Sequence, residues 1–267
     1  MDFKDFLGKE NEKPLDTIIN DGGFCGIFRT VGCVGDSLAS GELEGTNEAG
    51  EKTYHDYFEY SWGQYMARTA GFTARNFSRG GMTAKEYCES FAESKGYWSP
   101  DLACQAYIIG LGVNDIRTAD RIEVGTIDDV CLEDYTKNAK TYAGYYAQII
   151  QRYKEIQPDA KFFLITIPKR EAPAERDERD AQHRALLYKF AEVFSNTYVI
   201  DLYKYMPPLG EEFAKNFRLG GHLNASGYLL MSKIFLSYID YIIRHNMKDF
   251  KQAGFIGTPH KNTVDVD

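Results

Sequence analysis

Short apolar runs rich in β-branched and aromatic residues alternate along the chain with longer stretches whose apolar positions recur at helical spacing. The short runs occupy 27–34, 73–77, 106–109, 161–167 and 197–202, with the run at 73–77 the weakest. Helical patterns fill 57–70, 132–156, 175–194 and 225–243. The clearest is 132–156, where Tyr135, Ala139, Tyr142, Tyr146, Ile149, Ile150, Tyr153 and Ile156 fall near a 3.6-residue period. In 225–243, Leu229, Ile234, Tyr238, Ile239 and Ile242 share one side. Five strands with helices between them predict an α/β protein, a three-layer α/β/α sandwich around a five-stranded parallel sheet with right-handed crossovers. The charge run 169–184 is expected as a solvated loop and first helical turns.

In an open parallel sheet, ligands sit beyond the carboxyl ends of the strands. Polar chemistry should therefore collect just after each apolar run, and it does. Ser37 follows the first run, Gly80 and Gly81 the second, and Asn114 and Asp115 the third; His222 lies some way past the fifth.

A chain of 267 residues is long enough for one α/β domain and short for two. The domain is expected to span 1–267, with about 1–22 as an N-terminal extension and about 247–267 as a polar C-terminal tail. A net charge of −8 and a pI near 5.3 argue against a nucleic-acid partner, which would call for a basic face. The five cysteines are odd in number and form no C-x-x-C, so neither a disulfide framework nor a zinc site is expected, and Cys33 and Cys104 read as small core residues. No apolar run reaches the roughly 18 residues of a membrane span. The charged start Met1-Asp2-Phe3-Lys4 carries no signal-like apolar stretch, which leads us to expect a cytoplasmic protein. The 19 tyrosines are read mainly as core and rim material.

The candidate chemistry starts at Gly35-Asp36-Ser37-Leu38, a tight turn directly after an apolar strand. Such a turn can expose a serine hydroxyl to an approaching carbonyl, and the next helix would turn its N-terminal amides toward the reacting centre. Alone, the turn reads more simply as a plain N-cap, with Asp36 or Ser37 capping the next helix. Gly81 can let its backbone N–H approach a ligand closely, and Asn114 offers a side-chain amide; both suit an oxyanion, although glycine pairs and Asn-Asp also mark ordinary turns. Of the five histidines, His222 sits in a glycine-flanked loop, Gly220-Gly221-His222-Leu223-Asn224, ahead of the last helix. That loop could return an imidazole over the strand ends. His183 lies in a charged helical start, His245 at a helix end, and His55 and His260 read as surface residues.

Taken in order, these segments resemble the sequence blocks of the SGNH/GDSL hydrolases. Gly35-Asp36-Ser37-Leu38 resembles the block that names the family. Asn76-Phe77-Ser78-Arg79-Gly80-Gly81-Met82-Thr83 is similar to the second block, whose oxyanion glycine precedes x-Thr and maps to Gly81. Gly112-Val113-Asn114-Asp115 matches G-x-N-D and maps the oxyanion amide to Asn114. His222-Leu223-Asn224, with Gly227-Tyr228 behind it, resembles the block carrying the catalytic histidine. The resemblance spans about 27–245. It implies a flavodoxin-like α/β/α fold, Ser37 as nucleophile, His222 as its base, an acyl-enzyme, and no metal or organic cofactor.

One position departs. The family's last block reads D-x-x-H, and three residues before His222 stands Leu219. A backbone carbonyl of the 219–221 loop could orient the imidazole, giving a Ser–His dyad. An acid from elsewhere, such as Glu211 or Glu212, could do so instead, or activity could be lost. The polar and aromatic segment 42–60 suits a short acyl group on a sugar better than a long fatty chain, so the expected substrate is a small ester, an acetylated carbohydrate first. A lysophospholipase or thioesterase is the alternative acylhydrolase, and a carbohydrate-binding protein without catalysis the alternative of another class. Gly110-Leu111-Gly112 begins like a dinucleotide fingerprint, but Asp115 in its sixth position would face the pyrophosphate.

Overall fold

The structure is a computed structural model describing residues 2–3, 7–9, 11–116, 122–170 and 174–264, the side chains of 174 and 175 excepted. Five parallel strands build the central sheet: β1 (Thr30–Gly35), β4 (Thr73–Ser78), β5 (Ala106–Gly110), β6 (Lys161–Ile165) and β7 (Thr197–Ile200). Their spatial order is β4-β1-β5-β6-β7. Between the first two lies an antiparallel hairpin, β2 (Glu42–Thr46) and β3 (Lys52–Asp56), and near the end a two-residue pair, β8 (Arg218–Leu219) and β9 (His222–Leu223).

Helices cover both faces. On one lie α3 (Ala84–Glu86), which continues through a π turn (Tyr87–Phe91) into α4 (Ala92–Ser94), then α6 (Tyr142–Ile156) and α7 (Ala174–Val193). On the other lie α2 (Trp62–Ala70), α10 (Ala225–His245) and α11 (Met247–Phe250). Shorter turns α1 (Ser37–Ser40), α5 (Val113–Ile116), α8 (Leu202–Tyr205) and α9 (Glu211–Phe217) ring the carboxyl ends of the strands. Alternate strand residues feed the two cores. Phe162 packs with Tyr107 and Tyr153 under α6, whereas Phe163 packs with Phe28 and Phe250 on the α10 side. Burial on both faces is why the inner strands β1, β5 and β6 read as nearly continuous apolar runs, whereas the half-exposed edge strand β4 reads weakest. Six tyrosines, 87, 107, 142, 146, 153 and 228, are fully buried.

The three-layer sandwich has the expected five parallel strands, and most element boundaries move by a few residues. The exception is 132–156, where the helix starts only at Tyr142. Thr141 caps it by accepting from Gly144 N, while Asp134 caps a separate 3-10 turn, Tyr135–Lys137. Two local caps compete with one long helix, and the caps prevail. The charged run 169–184 is less solvated than its composition implies: Asp180 and His183 are buried, and Arg184 reaches buried Asp201 at 2.7 Å. Residues 171–173 of that run lie outside the described residues. The C-terminal stretch expected as a polar tail is structured in its first half. Phe250, Ala253 and Ile256 are buried, because the side chains of Arg29 and Gln105 satisfy the carbonyls of Ala253, Gly254 and Ile256. All five cysteines are free; Cys33 and Cys104 are buried as expected of small core residues. No helix among the described residues is long and apolar enough to cross a membrane.

Candidate active site

From β1 the chain crosses outward to β4 and then back past β1 to β5, so the sheet reverses its winding at β1. The crevice at such a switch point is where open α/β sheets place ligands. Ser37 sits there, two residues past the end of β1. Asp36 caps α1 by accepting from Leu38 N at 3.0 Å, and Gly35 is packed so that a side chain would meet Ala39 and Gly110. The helix is a single turn, too short to carry much macrodipole. What it leaves is a backbone N–H at Ser37 that donates to no group among the described residues.

Opposite stands the turn after β4. Gly81 has φ +70°, and a side chain there would meet nothing within 4 Å. Its N–H likewise donates to no group among the described residues. The turn is clamped by the block after β5. Asn114 donates from Nδ2 to Met82 O at 3.1 Å, and buried Asp115 accepts from Ala84 N at 2.9 Å. Thr83 caps α3 by accepting from Glu86 N, which gives the x-Thr of this block a local structural role. Two undonated amides and the Asn114 side chain therefore lie on the turns after β1, β4 and β5, at one end of neighbouring strands, the types of donor that an oxyanion needs.

His222 arrives on β9. Its side chain is 19% exposed and the Tyr54 ring stands edge-on to it at 5.7 Å. Nε2 lies 2.9 Å from Glu42 Oε1, and Nδ1 lies 3.5 Å from Glu44 Oε2. No hydrogen bond joins His222 to the Ser37 hydroxyl among the described residues; catalytic hydrogen bonds are often loose without substrate. The two glutamates differ. Glu44 pairs with Lys52 at 2.6 Å and accepts from Gly221 N at 2.7 Å, which together hold its carboxyl down at about 2. Burial pushes the Glu42 carboxyl above its ordinary range, His222 pulls it down, and Asp56 and Glu44 push it further up. Asp56 joins the same cluster, accepting from Ser40 Oγ and from Gly80 N at 3.3 Å. The Tyr228 hydroxyl ties the Ser37 turn and the hairpin together, meeting Glu42 O at 2.8 Å and Ser37 O at 3.2 Å.

The four residues singled out from sequence, Ser37, Gly81, Asn114 and His222, thus share one end of the sheet. The β2–β3 carboxylates did not announce themselves, because 42–60 reads as a polar rim with no strand signal. The alternation of Glu42 and Glu44 on one face of a strand was the only clue. Glu211 and Glu212, offered as possible acids, are exposed at the start of α9, and neither is an ion-pair partner of His222. His183 is buried, not part of a solvated start. Its Nε2 meets the Tyr142 hydroxyl at 2.9 Å, and that hydroxyl donates to Leu111 O at 3.0 Å, which props up the Gly112 turn. Beside Ser37 and the β8–β9 turn, a cavity of about 80 Å³ is lined by Leu38, Leu111, Val113, Ile167, Phe213 and Leu223. Tyr54, Tyr57 and Tyr60 stand exposed on and after the hairpin. No group of three or more His, Cys, Asp or Glu side chains placed to hold a metal occurs among the described residues.

The chain is similar in fold to several solved structures. A family two carbohydrate esterase from Clostridium thermocellum, solved with cellohexaose, shares 17% identity at TM-score 0.57 over 89% of this chain and 66% of its own. A protein from Lactobacillus plantarum shares 14% at TM-score 0.58 over 80% of this chain and 97% of its own. A Clostridium thermocellum family 3 carbohydrate esterase shares 16% at TM-score 0.50 over 81% and 98%. The chain thus spans about two thirds of the family two enzyme. No curated protein matches the sequence. The profile of the GDSL-like lipase/acylhydrolase family, however, matches residues 33–230, which include all four site residues. The chain belongs to the GDSL-like lipase/acylhydrolase family.

Proposed function

We propose that the protein is a serine esterase that removes short acyl groups, acetyl above all, from carbohydrate-like substrates. His222 takes the proton of Ser37 as its hydroxyl attacks the ester carbonyl. The tetrahedral oxyanion accepts from Ser37 N–H, Gly81 N–H and the Asn114 amide. His222 then protonates the leaving alcohol, and water activated in the same way releases the acid from the acyl-enzyme. The observation that carries this reading is the gathering of a turn-borne serine, two undonated backbone amides and a glycine-hairpin histidine at the switch point of the sheet.

Two features favour a short acyl group on a sugar. The cavity beside Ser37, at about 80 Å³, is well below the roughly 300 Å³ at which pockets for larger ligands begin. The exposed Tyr54, Tyr57 and Tyr60 offer amphipathic ring faces for a sugar beyond it. The fold neighbours named as carbohydrate esterases are consistent with that choice. Turnover of p-nitrophenyl acetate by the wild type, Ser37→Ala and His222→Ala tests the mechanism. Both variants should lose about a hundredfold or more, as members of one catalytic unit do; equal rates in all three would refute it. A series of C2, C4 and C12 esters tests the acyl group, and an optimum at C12 would return the lysophospholipase or thioesterase reading.

A further inference from the structure

We propose that Glu44, on β2, is the positioning carboxylate of His222 and takes the part that Leu219 leaves vacant in the D-x-x-H block. The proposal rests on the Ser37–His222 reading above. Its basis is how closely the β8–β9 turn is built around this one side chain. Glu44 Oε2 accepts from Gly221 N at 2.7 Å, fixing the residue directly before the histidine, and lies 3.5 Å from His222 Nδ1. Gly220 has φ +59°, and a Cβ on it would stand 2.2 Å from Glu44 Oε1. The backbone angle favours glycine at 220, and a side chain there would have to displace the Glu44 carboxylate. The outer oxygen is held in turn by Lys52 at 2.6 Å. An acid three residues before the histidine is unnecessary when one enters from the neighbouring hairpin.

The chemistry follows from which nitrogen the carboxylate faces. An ionised carboxylate beside Nδ1 favours the Nδ1–H tautomer, which leaves Nε2 with the lone pair that must accept the serine proton. It works against the Nε2–H tautomer that Glu42, 2.9 Å from Nε2, favours when ionised, and burial disfavours that ionised form of Glu42. Glu44 is suited to this because it is anchored by a lysine and a backbone N–H. Glu42 is not, for it stands on Nε2, the nitrogen needed for Ser37. Nδ1 is buried and hydrogen-bonds neither a backbone carbonyl nor any other group among the described residues; the Glu44 carboxylate, 3.5 Å away, faces it as an ion-pair partner. The charged and titratable groups that face the imidazole are Glu42 and Glu44 on β2 and Tyr54 on β3, with Lys52 behind Glu44 and Asp56 behind Glu42.

Glu44→Gln separates positioning from mere support. The amide oxygen can still accept from Gly221 N, so the turn is kept, but the negative charge facing Nδ1 is gone. With p-nitrophenyl acetate, kcat should fall by about 10²–10⁴-fold, the scale seen when a triad acid is made an amide, with KM changed much less. The acid limb of kcat/KM should move to lower pH, since an imidazolium loses its neighbouring negative charge, and Glu44→Asp should recover part of kcat. A purely structural role would move neither limb nor kcat in this way. In ¹⁵N-histidine-labelled wild type, the His222 signals should report a protonated Nδ1 and an unprotonated Nε2 at neutral pH. This readout needs no variant and decides the matter if Glu44→Gln does not fold. Wild-type kcat and pH limb in Glu44→Gln, with Ser37→Ala inactive, would overturn the proposal alone, as would the opposite tautomer in the wild type. Retained activity in Ser37→Ala would overturn the serine reading and this proposal with it.

Discussion

Two glycines of the site should respond unequally to the same added methyl group. Gly112 has φ +129°, and a Cβ there would lie 2.9 Å from both His183 Nε2 and Tyr142 Oη. Those atoms are hydrogen-bonded to each other in a fully buried pair, and the tyrosine in turn satisfies Leu111 O. Gly112→Ala therefore meets backbone strain of about 1–3 kcal/mol and overpacking of about 1–3 kcal/mol. A total destabilisation of about 2–5 kcal/mol is expected, since partial relaxation serves both. Gly81 also has positive φ, at +70°, but its Cβ would touch nothing within 4 Å. Gly81→Ala should cost only the left-handed conformation, about 1–2 kcal/mol. Urea denaturation at equal m-value measures the difference directly, and thermal midpoints should separate by about 2–4 °C per kcal/mol for a chain of this size. Equal midpoints for the two variants would refute the claim that the His183–Tyr142 pair supports the Gly112 turn.

Other substitutions address the rest of the site. Asn114→Ala should lower kcat by about 10²–10³, the usual loss for one oxyanion donor, with the folded fraction measured by circular dichroism unchanged. Tyr228→Phe leaves the carbonyls of Glu42 and Ser37 without their shared donor and should cost about 1–3 kcal/mol by denaturation. Glu42 binds its proton more tightly folded than unfolded, because burial raises its carboxyl. The stability it contributes is complete below the ordinary carboxylate value of 4.5 and is lost as pH rises through the raised value. Glu42→Gln cannot ionise, so the stability difference between variant and wild type should shift toward the variant from acid to neutral pH; a constant difference would refute the assignment. Glu44 runs the other way. Its contribution is present above 4.5 and lost as pH falls toward about 2, so wild type should lose more stability on acidification than Glu44→Gln.

The chain's own pattern determined the sheet, the order of its strands along the sequence and the end at which chemistry collects. Strands buried on both faces must be apolar throughout, and their ends must be polar, so both marks lie within a few neighbouring residues. Ser37, Gly81, Asn114 and His222 could be placed at that end for the same reason: each sits in a short turn whose glycines and capping residues are local. Tertiary structure decided what surrounds them. Two caps, at Asp134 and Thr141, cut a helical period that looked continuous. His183 and Asp180 lie in a charged run yet are buried, because one face of α7 turns toward the sheet. The carboxylate on Nδ1 of His222 comes from 178 positions earlier in the chain, and no local pattern links Glu44 to a histidine so far away. Only the folding of the β2–β3 hairpin over the last turn brings them together. Side-chain periodicity records which way a residue faces, whereas a contact between distant segments depends on how their elements pack.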